Sequence, residues 1–599
     1  MSFTIEFQPQ GIRLVCEEPL TILNAAREAG INLRSDCGGE GICGKCAVKL
    51  LSHHENYIAS EVEKIRLAQS QLDDGFHLAC ETIAKENLQV YIPPDSTAAE
   101  QILQIGGEGI SVQPDPVIEQ MVLQVPPAKL SDPRADFERI QQISGKYGLY
   151  ARLDELRKIP AILRENNWQI NLIVRDNEIV YVTDKPLEQL VGLAVDVGST
   201  KLACYLVNLG SGHVLAAKGT PNPQIAYGED IMARLAFAQK GQKEARQLHS
   251  LVIQAINQTT SEMCQKVNIP PSSICDACLV GNTAMHHFFL NLPSDSLAVS
   301  PFVPAIAGVL YPPADQIGLV GMPGMSVFSP PVIAGFVGSD HLAFLLACGF
   351  GQDDRIRLGI DIGTNTEIAL QKGGRIVSAS TASGPAFEGA HIKYGMRAAP
   401  GAIEHVRIKP DMQIELDVIG QTAPIGICGS GILDAVGELR MAGLLNSRGR
   451  LDKKSPLVNT NQDGRPYVIL VGNDVDRKPI TLSQSDIDQV LLAKGAIRAG
   501  IDVLMDHLKI QPDEIEEVVI AGAFGTYMLP EQAMRIGMLP AIPLNCVRAV
   551  GNAAGFGARM MLISRCTRQR AEELACLIEY QELTLYPDFE MYYARGIQA

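Results

Sequence analysis

A multidomain protein of α+β and α/β class is what the sequence predicts, and three observations predict it. Near the N-terminus a glycine-rich loop carries Cys37, Cys43 and Cys46 in a C-x5-C-x2-C array, with Cys80 further on. Prolines and glycines then break the pattern between residues 93 and 125. Beyond residue 190 an apolar strand, a D-x-G turn and a second apolar strand occur twice. The organisation expected is a small domain over 1–92, a linker over 93–125, a small middle domain over 126–190, and a domain of two related lobes over 191–599.

The 599 residues suffice for several cores. With 46% hydrophobic and 20% charged residues the composition is that of a soluble globular protein. A formal charge of −16 argues against nucleic acid and anionic membranes as main partners. The most apolar segment, Leu342–Cys348, is too short to span a bilayer, and Met1–Glu6 lacks the charged start and apolar run of a signal peptide. The fourteen cysteines, irregularly spaced outside the array, read as reduced thiols. The expectation is a cytoplasmic protein with no nucleic-acid and no membrane partner.

In the first domain, Thr4–Phe7 and Ile12–Cys16 read as strands around the turn Gln8-Pro9-Gln10-Gly11. Thr21–Ala29 reads as a helix ended by Gly30, followed by the cysteine loop and a strand near Ala47–Leu51. Ser60-Glu61-Val62-Glu63 has the form of a capping box, and Leu88–Ile92 closes the domain as a strand. Four thiolates, three from one loop and one from afar, are the ligand set of a [2Fe–2S] cluster. The glycines around them let backbone N–H groups approach the sulfurs. A zinc knuckle is the competing reading, but zinc sites usually pair short C-x2-C units. The element order resembles β-grasp ferredoxins, and the first gap of five residues is that of their adrenodoxin-like branch.

Gly106-Gly107, Pro114, Pro116 and Pro126-Pro127 make the next stretch read as a tether. Asp132–Arg157 reads as helical, and Trp168–Val174 with Glu178–Val182 as a hairpin around Arg175-Asp176-Asn177. No catalytic constellation shows itself there.

The repeat in the last domain is Leu193-Ala194-Val195-Asp196-Val197-Gly198-Ser199-Thr200, echoed by Leu358-Gly359-Ile360-Asp361-Ile362-Gly363-Thr364-Asn365. A tight glycine turn presents N–H groups and hydroxyls to an anion. A carboxylate at the strand end can hold Mg²⁺ through water. Glu517–Ala521 reads as a buried strand entering the turn Gly522-Ala523-Phe524-Gly525, after a helix over Ser485–Met505. Ser430, in Gly429-Ser430-Gly431 before a helix, is placed to meet an anion. Cys275-x2-Cys278 and His286-His287 read as core residues, and His391 and His405 receive no role.

Together these turns resemble the phosphate-1, phosphate-2 and adenosine motifs of the superfamily of acetate and sugar kinases, heat-shock chaperones and actin. Its fold is two α/β lobes with ATP between them. Val280-Gly281-Asn282-Thr283-Ala284, Ser383-Gly384-Pro385-Ala386-Phe387-Glu388-Gly389 and Gly426-Ile427-Cys428-Gly429-Ser430-Gly431 narrow the resemblance. Behind a cluster domain, they look like the reductive activators of corrinoid proteins. That resemblance implies an ATPase that passes an electron from its [2Fe–2S] cluster to the Co(II) corrinoid of a partner in a methyltransferase system, restoring Co(I). An upstream electron donor is implied, and a homodimer is left open. It further implies Asp196 and Asp361 at Mg²⁺. Gly198, Ser199, Thr200, Gly363, Thr364, Asn365 and Ser430 are expected at phosphate, and Gly522, Ala523 and Gly525 at adenosine. Some relatives carry C-terminal [4Fe–4S] clusters, for which Cys546, Cys566 and Cys576 are too scattered. Other classes stay open. One is a small-molecule kinase with a redox-regulatory domain, using Glu367, Glu388 or Glu404 as base. Others are an ATP-gated binding or chaperone module and an activator of another iron–sulfur enzyme.

Overall fold

The computed structural model describes residues 3–8, 12–29, 31, 33–35, 37–52, 56–93, 96, 106–228, 230–389, 391–472 and 479–598. Pro9, Gln10 and Gly11 of the expected first turn, the terminator Gly30, and residues 97–105 of the expected linker lie outside them.

Phe3, Ile5 and Phe7 are buried while the residues between them are not, the period-two pattern of a strand with one face on a core. The strand Phe3–Gln8 lies in a five-stranded sheet ordered Ile12–Cys16, Phe3–Gln8, Leu88–Tyr91, Ala47–Leu50, Phe76–Leu78. The helix Ile22–Glu28 starts where the Thr21 hydroxyl accepts from Asn24 N–H, and it buries Ile22, Leu23, Ala25 and Ala26 in the core of this domain. The capping box is present: Ser60 Oγ accepts from Glu63 N–H at 3.2 Å, and Glu63 accepts from Ser60 N–H at 2.8 Å. The other Glu63 oxygen accepts from Leu78 N–H at 2.7 Å, so the same side chain fixes the strand that leads into Cys80.

The next stretch differs from the sequence expectation. Within 93–125, Ile118–Gln124 is a strand, paired antiparallel with Gln169–Arg175 in a four-stranded sheet completed by Glu178–Thr183 and Tyr150–Ala151. The helical run over Asp132–Arg157 is two helices, Asp136–Ser144 and Leu153–Glu165, because Gly145 turns left-handed (φ 68°) and ends the first. From residue 106 the linker is bound to the large domain. Glu108 N–H donates to Val550 C=O, Ile110 N–H to Ala347 C=O and Asp115 N–H to Ile563 C=O. A Cβ on Gly107 would lie 2.1 Å from the Asn552 carbonyl oxygen, so this glycine serves close approach and not flexibility.

The duplication is visible in the topology. The first lobe orders its strands Val214–Pro221, Lys201–Asn208, Val191–Val197, Ile274–Gly281, Ser326–Phe328. The second orders Arg375–Thr381, Thr366–Lys372, Arg357–Ile362, Glu517–Ala521, Val547–Gly551, with Ile578–Tyr580 added outside. In both, an antiparallel three-strand meander is followed by two parallel strands. In both, a helix of 25 residues (Gln242–Lys266, Gln484–Leu508) precedes the fourth strand. The helices that follow the fifth strands, Ser339–Ala347 and Ala553–Ile563, pack together in an apolar core that takes residues from both lobes. The lobes are therefore joined along a shared hydrophobic seam.

Behind that seam the Arg568 guanidinium donates to Asp276 Oδ2 at 2.5 Å, with both side chains buried and the guanidinium 4.7 Å from the Phe328 ring centroid. Asp276 Oδ1 has no hydrogen-bond partner, so Arg568 carries nearly the whole compensation of a buried charge. Arg568→Met leaves that carboxylate unpaired and is expected to destabilise the chain by about 3–5 kcal/mol, read from denaturant unfolding.

Candidate functional site

Between the lobes opens a cavity of about 260 Å³. Asp196 and Asp361 are each the next-to-last residue of the first meander strand, Val191–Val197 and Arg357–Ile362, and both face it. The turns that follow, Gly198-Ser199-Thr200 and Gly363-Thr364-Asn365, line it from opposite lobes. Ser430 reaches it from the first turn of the helix Gly429–Met441, and Gly522 from the end of Glu517–Ala521. One residue expected here, Gly525, lies elsewhere. A Cβ on it would meet Ile520 Cγ2 at 2.6 Å, so its smallness lets the helix Ala523–Tyr527 lie on its strand. Ala523 opens that helix, and its side chain lies outside the described residues.

Gly522 shows why the local sequence must be what it is. Its φ is +90°, and a Cβ would lie 2.4 Å from the Ile362 carbonyl oxygen and 3.1 Å from Asp361 Oδ1. Gly522→Ala forces the strand ends apart at the carboxylate. A stability loss of about 1–3 kcal/mol in chemical denaturation is expected, with weakened nucleotide binding measured alongside.

The electrostatics of the cavity are set by burial. Burial pushes the Asp196 carboxyl up to about 6, against the pull of Asn552 Nδ2, which donates to it at 2.8 Å. Burial and then the Asp196 charge push Asp361 up to about 7. Asp340 rises to about 8 through burial and the charges of Asp196 and Asp361, and Glu367 is raised for the same kinds of reason. Four acidic groups in one cleft call for a cation. Among the described residues no three such groups converge as a ready-made single-ion site. Mg²⁺ usually keeps several waters and takes only one or two carboxylates, so the arrangement fits that ion's habit. Lys201 and Arg397 add positive charge to the same wall.

Sequence reasoning missed Asp340, Asn552 and the aromatic pair Phe387–Phe524, stacked at 4.6 Å between ring centroids on the cavity wall. One signal for Asn552 was present: Val550-Gly551-Asn552 repeats Val280-Gly281-Asn282, and both asparagines cap helices through Oδ1. His405, unassigned in the sequence, contacts Asp434 at 2.7 Å and anchors the helix that carries Ser430; the Asp434 contact raises the imidazole above its ordinary range. Cys275 and Cys278 are buried with thiols pushed up to about 12 by burial, and His287 is fixed between Thr283 C=O and Ala305 N–H. These are core residues.

The cysteine loop forms a second site. Cys46 and Cys80 sulfurs lie 3.4 Å apart. Two thiolates on one tetrahedral metal with bonds of about 2.3 Å sit about 3.7 Å apart, so this pair fits one iron. Against burial, which raises it, the N–H groups of Cys43, Gly39 and Ile42 and the Cys43 thiol draw the Cys37 thiol below its ordinary value. Gly38, Gly39, Gly41 and Gly44 all take positive φ, which wraps the backbone around the sulfurs. Two thiol pairs in a cradle of N–H donors fit a two-iron cluster. The loop rests on the first lobe: a Cβ on Gly38 would lie 3.2 Å from the Tyr227 carbonyl oxygen, the Arg27 guanidinium lies 4.7 Å from the Tyr227 ring centroid and donates to Gly38 C=O at 3.3 Å, and Glu40 pairs with Lys240 at 3.2 Å.

Comparison with known proteins decides the family. The models for the RACo linker region, the RACo middle region and the C-terminal ASKHA domain of RACo match residues 107–189, 191–353 and 355–598, and that for the 2Fe-2S iron-sulfur cluster binding domain matches 5–85. The corrinoid activation enzyme RamQ of Eubacterium limosum is 31% identical over 96% of this chain and 95% of its own. The chain belongs to the RACo family, the reductive activators of corrinoid proteins. A solved structure named reductive activator for corrinoid, iron-sulfur protein is 31% identical, with a TM-score of 0.73 over 99% of this chain and 97% of its own. The [Co(II) methylated amine-specific corrinoid protein] reductase of Methanosarcina barkeri is 26% identical over 66% of this chain and 74% of its own. RACo-family architecture thus accounts for the whole order seen here: a 2Fe-2S domain, a linker region, a middle region that is the first lobe, and an ASKHA domain that is the second. No helix among the described residues is long and apolar enough to cross a membrane.

Proposed function

We propose that this chain is an ATP-dependent reductive activator that delivers an electron to the Co(II) corrinoid of a partner protein in a methyltransferase system, restoring Co(I). The observation that carries the reading is the joining of its two sites. Asn222 Nδ2 donates to the Gly198 carbonyl and Asn222 N–H to the Thr200 carbonyl, both at 2.9 Å. Asn222 also caps the turn Pro223–Tyr227, whose last residue stacks under Arg27, and Arg27 donates to Gly38 C=O of the cysteine loop at 3.3 Å. The phosphate turn of the first lobe and the electron-carrying loop are therefore two ends of one bonded segment.

A [2Fe–2S] cluster supplies one-electron transfer when bound, and Cys37 with Cys43, and Cys46 with Cys80, would hold its two irons. Asp196 and Asp361 would hold Mg²⁺. The hydroxyls and N–H groups of Gly198–Thr200 and Gly363–Asn365, with Ser430, would take the phosphates. Gly522 and the Phe387–Phe524 wall would border the adenosine, while Gly525 lets the helix Ala523–Tyr527 lie on its strand. The chain's own work is conformational: closing two lobes on a nucleotide moves Thr200, and with it the segment under the cysteine loop. A nucleotide-driven shift of about 10⁴-fold corresponds to roughly 240 mV for one electron, enough to carry an uphill transfer. The partners are a corrinoid protein and an upstream electron donor, in the cytoplasm.

The test is to mix the anaerobically purified chain with a Co(II) corrinoid protein and follow the Co(I) absorbance. Co(I) is expected only with both reductant and MgATP present; equal formation without nucleotide contradicts the reading.

A further inference from the structure

Glu388 spans the two phosphate turns. One of its carboxylate oxygens accepts from Thr364 Oγ1 at 2.5 Å, and the other from Thr200 Oγ1 at 3.4 Å. The two hydroxyls belong to different lobes, so a single side chain ties them across the cleft. Lys201, on the same wall, feels the Glu388 charge. We infer that Glu388 is a positioning residue, an internal carboxylate that stands where a nucleotide phosphate will stand and is expelled from both turns when the nucleotide binds. The inference rests on the nucleotide reading above.

The chemistry is that of shared donors. A carboxylate and a phosphoryl group are both anions with several acceptor oxygens, and both seek hydroxyl and N–H donors. Two such anions cannot share the same pair of hydroxyls in a cleft that already holds Asp196, Asp340, Asp361 and Glu367. The incoming phosphate must therefore displace Glu388, and the bond that held Thr200 to the second lobe passes to the ligand.

The surroundings suit a side chain that leaves. Glu388 ends the short turn Pro385–Glu388, which is bracketed by Gly384 and Gly389, both at positive φ. Phe387, its neighbour, is stacked on Phe524 beside the Gly522 turn. Thr200 is bonded through its carbonyl to Asn222 at 2.9 Å, the head of the segment that ends under Gly38. Release at Glu388 is thus felt at the adenosine wall on one side and at the cysteine loop on the other.

The test is titration calorimetry of the full chain with Mg²⁺ and a non-hydrolysable ATP analogue, joined to hydrogen exchange of residues 222–228. Glu388→Gln keeps an acceptor oxygen and loses the charge, so it should bind the analogue about tenfold tighter, or 1.4 kcal/mol. Glu388→Ala, which removes both bonds, should bind tighter as well. In Glu388→Ala, exchange over 222–228 without nucleotide should already resemble that of the nucleotide-bound wild type. Unchanged or weaker affinity in both variants, with the wild type binding normally, overturns this inference and leaves the nucleotide reading standing. Unchanged affinity for the analogue, with hydrolysis of ATP itself lost in a parallel phosphate-release assay, makes Glu388 a catalytic base and overturns it too. No binding by the wild type overturns both.

Discussion

Cys80→Ser is expected to abolish electron delivery while leaving the nucleotide cleft intact. Cys80 comes from a separate stretch of chain and lies 3.4 Å from Cys46, so the pair that would serve one iron depends on it. The segment leading to it is fixed by Glu63, which accepts from Leu78 N–H, so the serine takes up the cysteine's position without rearranging the loop. A serine oxygen there is a poor substitute for thiolate. The loss should exceed the 10- to 100-fold typical of removing an outer-sphere partner of a metal ligand. Iron content and the visible absorption of the anaerobic protein should fall together with Co(I) formation, while affinity for the Mg²⁺ nucleotide stays unchanged. A variant that keeps two irons and full activity contradicts the ligand assignment.

Asp361→Asn is expected to separate function from stability in opposite directions. Binding of the Mg²⁺ nucleotide should weaken by about 100-fold, or 2.7 kcal/mol, because the second lobe loses its charge at the cation. The nucleotide-free chain should become more stable at pH 8. Burial and the Asp196 charge raise the Asp361 carboxyl in the folded chain to about 7, well above its unfolded value. Its contribution to stability is fully present below the unfolded pKa and lost as pH rises through about 7. An asparagine removes that loss, so the stability curves of variant and wild type should diverge between about pH 4 and about pH 7 and run parallel above it. Denaturant unfolding at several pH values measures this; a variant less stable than wild type at pH 8 contradicts the picture of crowded, uncompensated carboxylates.

The sequence made some features legible because the signal was local. The repeated D-x-G turns sit at equivalent strand ends, and the capping box at Ser60–Glu63 has the expected bonds. Glycine was the ambiguous letter. Gly106-Gly107 reads as tether, yet Gly107 is small because the Asn552 carbonyl oxygen lies against it. Gly525 reads as a ligand turn, yet it makes room for Ile520. Ile118–Gln124 was hidden by the prolines around it, and its pairing partner lies some fifty residues on, at Gln169–Arg175. Asn552 was signalled only by the repeat of Val280-Gly281-Asn282, while Asp340 and the Phe387–Phe524 stack reach the cleft only through tertiary placement, which no spacing encodes. The bonded segment from Asn222 to Tyr227 belongs to the same class: each contact is long-range or backbone-mediated, and nothing in Pro223–Tyr227 marks it as a connection.

Single-turnover electron transfer tests the central claim most directly. The chain is reduced in advance, freed of excess reductant and mixed with a Co(II) corrinoid protein, and the paramagnetic signals of the reduced cluster and of Co(II) are followed with and without MgATP. Both signals are expected to disappear together only when the nucleotide is present. Their joint loss at the same rate in its absence contradicts the account.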